Sequence, residues 1–308
     1  MNLVSIQSES YNTKSMARHI VKIVQSIGGC TISYDSYKNI YVTKGKAKDY
    51  PCMVCHIDTV HDIVKAKVIP INVNGNIIAV NNNTLEQIGT GGDDKVGIHI
   101  TLELLKQIDT FKCAFFLDEE VGCVGSSQAD FDFFSNTRYV LECDRRGNDD
   151  FVNSISSTKL YTKEFSNDIS KILKKYDRKE TSGGMTDVLE IAYETDLCVA
   201  NMSCGYYKPH TDGEYINIDD VIATYNLCYD LFTKVTKKYK YSDIRSSYSY
   251  GGNRYNYNSH YHMHNIYDKE DLIVEKEFDC GIGCGMENGF CTNCNMSSEE
   301  IKEFWYET

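Results

Sequence analysis

Between residues 13 and 27 the apolar positions Met16, Ile20, Ile23, Val24 and Ile27 recur with a helical period. They predict an amphipathic helix entered at Thr13 and stopped by Gly28-Gly29. TISYDSYKNIYVT (31–43) alternates, turns and alternates again, as a hairpin does. PCMVC (51–55) is a short apolar run of the kind that forms a buried strand. In AKVIPINVNGNIIAV (66–80) an Asn-Gly pair between β-rich flanks predicts a second hairpin. GTGGDDKVGIHITLELLKQI (89–108) is a glycine-rich turn feeding a helix, apolar on nearly every side and therefore buried.

KCAFFL (112–117) and RYVLEC (138–143) are two more buried-strand candidates, and LCVANM (197–202) is another short one. SNDISKILKKY (166–176) and DDVIATYNLCYDLFTKV (219–235) have helical spacing. Strands alternating with helices predict an α/β fold, a sheet covered by helices on both faces. From about residue 241 the pattern stops. Residues 242–267 are rich in Ser, Tyr, Gly and Asn without core periodicity, so the expected organisation is a core over 1–240, a linker over 241–267 and a tail over 268–308.

Composition adds limits. With 42% hydrophobic and 25% charged residues, 308 residues can build a real core. The net charge of −12 argues against binding nucleic acid as the main activity. Residues 265–308, with eleven Asp/Glu and three Lys, carry −8 of it. No apolar run is long enough to span a membrane, and MNLVSIQSESYNTK lacks the basic and apolar regions of a secretory signal, so a cytoplasmic protein is expected. Most of the 13 cysteines are scattered singly and are read as reduced, buried small hydrophobes.

Charged residues then fall in a pattern. PCMVC runs into His56-Ile57-Asp58, KCAFFL into Asp118-Glu119-Glu120, and RYVLEC into Asp144. Three strand candidates thus deliver ligand-type residues just past their carboxyl ends, where open α/β sheets place their sites. Asp93 lies in the glycine-rich turn, and His210 follows LCVANM in YYKPHTDGEY. A single carboxylate after a strand is more often a turn residue or helix cap. Imidazoles and carboxylates gathered together suit a divalent cation, and a cation explains why three consecutive acids are tolerated.

HIDTV, GGDDKVG, DEEVG and PHTDGEY, in this order over roughly residues 1–235, resemble the co-catalytic zinc exopeptidases, the group that includes peptidase T, acetylornithine deacetylase and the zinc aminopeptidases. The resemblance implies a zinc-exopeptidase-like core with an open, twisted mixed sheet and two Zn2+ ions, or Co2+ or Mn2+ in their place. It implies that His56 and Asp144 bind the first ion, Glu120 and His210 the second, and that Asp93 bridges them. Asp58 would orient His56, and Glu119 would be the general base. Two ions about 3.5–4 Å apart can acidify a shared water and polarise a scissile carbonyl.

The chain departs from the lidded members. Only 65 residues separate Asp144 from His210, too few for both the core and an inserted lid domain. There is also no histidine between His99 and His210 to serve as the lid histidine that stabilises the oxyanion in those enzymes. Tyr206, Tyr207 or the ions themselves would take that role. Arg145 or Arg146 could clamp a substrate carboxylate, and Asp187, in GGMTD, could meet a substrate amine. The bland alternatives are charge balance, packing and a turn.

The expected function is hydrolysis of a terminal amide of a short peptide, with an aminopeptidase first. A deacylase or carboxypeptidase acting on N-acyl amino acids, a glutaminyl-cyclase-like transferase and an inactive peptide-binding protein are the alternatives. Without the lid's dimer interface a monomer is expected. In the tail, Cys280, Cys284, Cys291 and Cys294 have a spacing that a structural Zn2+ could close, and the acidic end with Phe304 and Trp305 could dock an unknown partner. The stretch carrying His260, His262 and His264 is read as polar linker.

Overall fold

In the computed structural model the chain divides into two units, Met1–Arg245 and Ser246–Thr308. The structure describes residues 2–241 and, in the second unit, two short paired strands, Met286–Glu287 and Phe290–Cys291. The expected linker, the three linker histidines, Phe304, Trp305 and the thiols of Cys280, Cys284, Cys291 and Cys294 lie outside the described residues.

The first unit is built on one large mixed sheet. Its strands are β1 (Cys30–Tyr34), β2 (Ile40–Lys44), β3 (Tyr50–His56), β7 (Phe111–Phe116), β8 (Thr137–Glu142), β9 (Asp150–Ile155), β10 (Thr158–Lys159), β11 (Lys179–Gly183) and β12 (Val199–Met202). A smaller sheet is made from β4 (Val68–Val73), β5 (Asn76–Asn81), β6 (Gln87–Ile88), β13 (Tyr206–Tyr207) and β14 (Tyr215–Asn217). In the large sheet the order is β1-β2-β7-β3-β8-β12-β9-β10, with β11 beside β9. β7, β3, β8 and β12 run parallel to one another, so their carboxyl ends emerge along one edge.

The central strands read as uninterrupted apolar runs because both faces are covered: every residue of β3 and β7 is buried. The helices are α1 (Lys14–Ile27), α2 (Gly92–Gln107), α3 (Val124–Ser127), α4 (Lys163–Lys175), α5 (Asp187–Glu194) and α6 (Ile218–Lys234). α1 stops at Gly28, which takes φ 74°, as the sequence predicts. Thr13 precedes the first turn of α1 but makes no side-chain cap hydrogen bond, unlike Thr162 ahead of α4, whose hydroxyl accepts from Phe165 N–H. The second hairpin turns at Asn74-Gly75, both with positive φ.

The interval between Asp144 and His210 is occupied by β9 to β13, α4 and α5. β9 pairs antiparallel with β12 and parallel with β11 inside the large sheet. No inserted domain is present there. Each cysteine described in the first unit is a free thiol, and all but Cys30 are buried.

Asn39, fully buried just before β2, ties the sheet to the segment that follows β7. Its side-chain oxygen accepts from Leu117 N–H at 3.0 Å and its amide donates to Gly125 O at 2.8 Å and Asp35 Oδ2 at 2.7 Å. That segment carries Asp118, Glu119 and Glu120. Asn39→Ala strands a backbone donor and acceptor in the interior, at about 1–3 kcal/mol for each group left unsatisfied. Urea unfolding should show a loss of that order, with little change in the m-value.

Candidate metal centre

Three strand ends, those of β3, β7 and β8, meet around His56. This histidine is the last residue of β3 and is wholly buried. Asp93 comes from the first turn of α2, next to β3, and Glu119 and Glu120 from the segment after β7. Asp144 follows β8, and His210 stands on the loop between β13 and β14. The parallel arrangement of β7, β3 and β8 therefore accounts for the gathering of ligand-type residues from distant parts of the chain.

Asp93 is the centre of the arrangement. Its Oδ1 lies 3.1 Å from His56 Nε2, and its Oδ2 lies 3.3 Å from His210 Nε2. On the first side, Asp144 Oδ1 is 3.7 Å from His56 Nε2. On the second, Glu120 Oε2 is 3.2 Å from His210 Nε2. One carboxylate thus faces two groups of donors, each with one imidazole and one further carboxylate. Glu119 Oε2 reaches 4.0 Å from His56 Nε2. The donor atoms of His56, Asp93 and Glu120 all lie within 4.8 Å of one another, as do those of His56, Glu119 and Asp144.

Asp58 fixes the framework below them. His56 Nδ1 is 3.0 Å from the Asp58 carbonyl and 3.3 Å from its Oδ1. The same carboxylate accepts from Glu119 N–H at 3.0 Å, Glu120 N–H at 3.2 Å and Ser10 Oγ at 2.7 Å. Burial alone would raise its pKa, but the hydrogen bonds from His56, Ser10 and Glu119 hold it below the usual value. The three consecutive acids divide the work. Asp118 turns away, accepting from Tyr11 N–H and the Tyr37 hydroxyl, while Glu119 and Glu120 face His56 and His210.

Asp144 is bracketed by neutral groups. Asn201 accepts from its N–H at 2.9 Å and donates to its carbonyl at 2.8 Å. Thr186 Oγ1 lies 3.0 Å from Asp144 Oδ2 and 2.5 Å from Glu142 Oε2. The Tyr206 hydroxyl donates to Asp144 Oδ1 at 3.1 Å. Tyr206 is buried and directed at a ligand-type carboxylate rather than at a substrate. The Tyr207 hydroxyl donates to Asp220 at 2.6 Å, and its ring stacks on Tyr215, so neither its ring nor its hydroxyl joins the cluster. Arg145 spends its Nε on Asp150 at 2.5 Å, the charge-balancing alternative. Asp187 does adjoin the cluster, but it has no exposed surface with which to touch a substrate.

The charges do not balance within the chain. The cationic partners given to these acids are His56 and His210. Burial pushes Glu119 up to about 9 and Glu120 up to about 8, with neighbouring acids adding to the rise. Burial likewise takes Asp187 up to about 7 and Asp144 to about 6. Glu120 Oε1, both oxygens of Asp187, Asp94 Oδ2 and Glu142 Oε1 are buried without a hydrogen-bond partner. Hard oxygen and imidazole donors, clustered and short of positive charge, fit divalent cations.

Two polar residues here escape a reading of the sequence. Glu214 lies in the quoted motif PHTDGEY and His61 directly follows HIDTV, yet neither shows a role until the fold brings them together. Their partners are backbone N–H groups and each other, which no spacing encodes.

No protein-family model matches the chain, and no curated protein does. Solved structures do share the fold. Aminopeptidase PepT from Bacillus cereus is 16% identical with TM-score 0.62, over 77% of this chain and 97% of that one. A tripeptidase from Staphylococcus aureus is 14% identical with TM-score 0.60, over 76% and 96%. The TET1 peptidase of Pyrococcus horikoshii is 13% identical with TM-score 0.54, over 75% and 97%. That peptidase assembles into a tetrahedron or an octahedral shell, so the comparisons lend no support to a monomer. Among the described residues no helix is long and apolar enough to cross a membrane.

Metal addition should stabilise the protein strongly. At a free Zn2+ concentration a hundred times Kd, each independent site adds about 2.7 kcal/mol. With chelator, Glu119 and Glu120 have folded-state pKa values above their usual 4.5. Their contribution is then greatest below about pH 4.5 and is lost as pH rises through about 8 and 9. Thermal unfolding across pH, with Zn2+ and with chelator, checks both; equal curves would contradict the assignment of a cation to these residues. The large mixed sheet, the edge from which its parallel strands emerge and the solved peptidases of like architecture agree: the chain has the fold of these aminopeptidases and tripeptidases.

Proposed function

We propose that the protein is a two-metal hydrolase that removes the amino-terminal residue from short peptides. The observation that carries the reading is Asp93, whose two oxygens face two separate imidazole-carboxylate pairs with Glu119 alongside. In this reading His56 and Asp144 hold one ion, Glu120 and His210 the other, and Asp93 is shared. Bound there, divalent cations would polarise the scissile carbonyl and acidify the attacking water.

The chain supplies the remaining chemistry. Glu119 takes the proton of the attacking water and passes it to the leaving amine. Its main chain is pinned through its N–H to Asp58, which also orients His56, so base and ligand are held by one carboxylate. Buried surroundings and neighbouring acids raise its proton affinity, which suits a group that must both accept and release a proton.

The fate of a candidate carboxylate clamp supports an amino-terminal direction. Arg145, one of the two candidate carboxylate clamps, is already engaged with Asp150. The names of the similar solved structures, an aminopeptidase and a tripeptidase among them, agree.

Glu119→Gln should retain both ions and lose about 10²–10⁴-fold in turnover. The assay is a library of free di- and tripeptides with their N-acetylated counterparts, on protein loaded with Zn2+ or Co2+. Acetylated peptides should be spared. Faster cleavage of the acetylated set would move the assignment to a deacylase or carboxypeptidase, and wild-type rates in Glu119→Gln would remove Glu119 from the role of base.

A further inference from the structure

Glu214 is a carboxylate with no access to solvent, four residues beyond His210. Its Oε2 accepts from Gly91 N–H at 2.6 Å, and its Oε1 accepts from Asp93 N–H at 3.2 Å. His61 Nε2 lies 2.9 Å from the same Oε2. Three segments that carry site residues are thus tied to one side chain: the loop after β3, the turn that starts α2, and the loop that carries His210. The two N–H groups belong to the open first turn of α2, where a carboxylate is favoured by the orphaned donors and the helix dipole. Lys95, buried close by, donates to the Thr90 carbonyl at 3.1 Å and supplies the local positive charge; burial lowers its pKa to about 8 while Glu214 opposes the shift.

The turn has little freedom of its own. Gly91 takes φ 61°, and a Cβ on Gly92 would come within 2.7 Å of Tyr206 Cβ. Asp93 and Asp94 leave helical geometry inside α2, with ψ of 103° and 35°. The backbone of Asp93 is therefore directed by what grips its N–H and that of Gly91, and both are gripped by Glu214. Asp93 has two jobs that depend on direction, since each of its oxygens must face a different imidazole.

We propose that Glu214 is a positioning residue that sets the direction of the Asp93 carboxylate, with His61 holding Glu214 in turn. This rests on the two-cation reading. Glu214 touches neither set of ligand atoms; it acts through the Gly91–Asp93 backbone. Because it sits in the same loop as His210, the segment that supplies one side's imidazole also aims the carboxylate shared between the sides. Glutamine cannot replace it. Its amide presents one oxygen and one NH2 to two backbone N–H groups that need an acceptor each, so one N–H would face another N–H.

The test compares full-length wild type with Glu214→Gln, Glu214→Asp and His61→Gln, each titrated with Co2+ alone. Ions per chain are counted by native mass spectrometry, and electron paramagnetic resonance reads the magnetic coupling between them. Glu214→Gln should lose at least tenfold in Co2+ affinity and lose the coupling signal. Its stability without metal should fall as a buried N–H loses its acceptor, so the coupling signal rather than the stability decides. Glu214→Asp, which keeps both acceptor oxygens, should recover part of the coupling, and His61→Gln should lose about threefold in affinity. Should Glu214→Gln fail to fold, the other two variants carry the comparison.

Two coupled ions in all three variants, at wild-type affinity, would overturn the proposal and leave the metal reading standing. No Co2+ bound by wild type would overturn both. Lower affinity in Glu214→Gln with the coupling intact would reduce Glu214 to a structural residue and overturn its positioning role.

Discussion

The constraint on which the rest depends is the burial of carboxyl groups around one histidine. Asp58, Asp94, Glu142 and Asp187 are fully enclosed, and Asp93, Glu119, Glu120 and Asp144 are nearly so. Removing a carboxylate from water without a partner costs several kcal/mol. A sheet edge could avoid that expense with apolar residues, as the other end of β3 does with Tyr50 and Cys52. Concentrating acids at the carboxyl edge makes sense where an external cation repays the desolvation. The two imidazoles alone leave buried oxygens on Glu120 and Asp187 unpaired.

A cluster of like charges is also hard to hold still, and the protein does so mostly with neutral donors. Asp58 is held by Ser10 and by the N–H groups of Glu119 and Glu120, and the Asp144 carboxylate by the hydroxyls of Thr186 and Tyr206. Neutral donors fix a carboxylate's direction while leaving its charge available, whereas a lysine or arginine would cancel it. The two sides of Asp93 differ in exposure. His56 is sealed, while the His210 side chain is half exposed on a loop in which Lys208 and His210 both take positive φ. The larger opening to solvent is therefore at His210 itself, since Glu120 beside it is no more exposed than Glu119 or Asp144.

How much of this was legible in the sequence follows from the range of each interaction. β3, β7 and β8 are short apolar runs ending in His56, Asp118-Glu119-Glu120 and Asp144, so strand, boundary and ligand-type residue are written side by side. The glycine-rich turn before α2 announces Asp93 in the same local way. β9 and β11 are less apolar and lie toward one side of the sheet, with β11 exposed at most positions, so neither shows a buried run. α5 begins inside GGMTD, where the glycines read as a turn and conceal the start of a short helix.

Direction is the part that local pattern does not carry. Tyr206 and Tyr207 are adjacent, yet one hydroxyl reaches Asp144 and the other Asp220, because successive side chains on a strand point to opposite faces. Arg145 sits beside Asp144 in sequence, but its nearest acid in space is Asp150. For Glu214 the gap is wider still: its partners are main-chain N–H groups 123 and 121 residues away, and every non-proline residue has one. Which residues gather at the site is thus readable from residue type and order, whereas their orientation depends on backbone groups that carry no sequence signature, and it is orientation that lets one aspartate face two histidines.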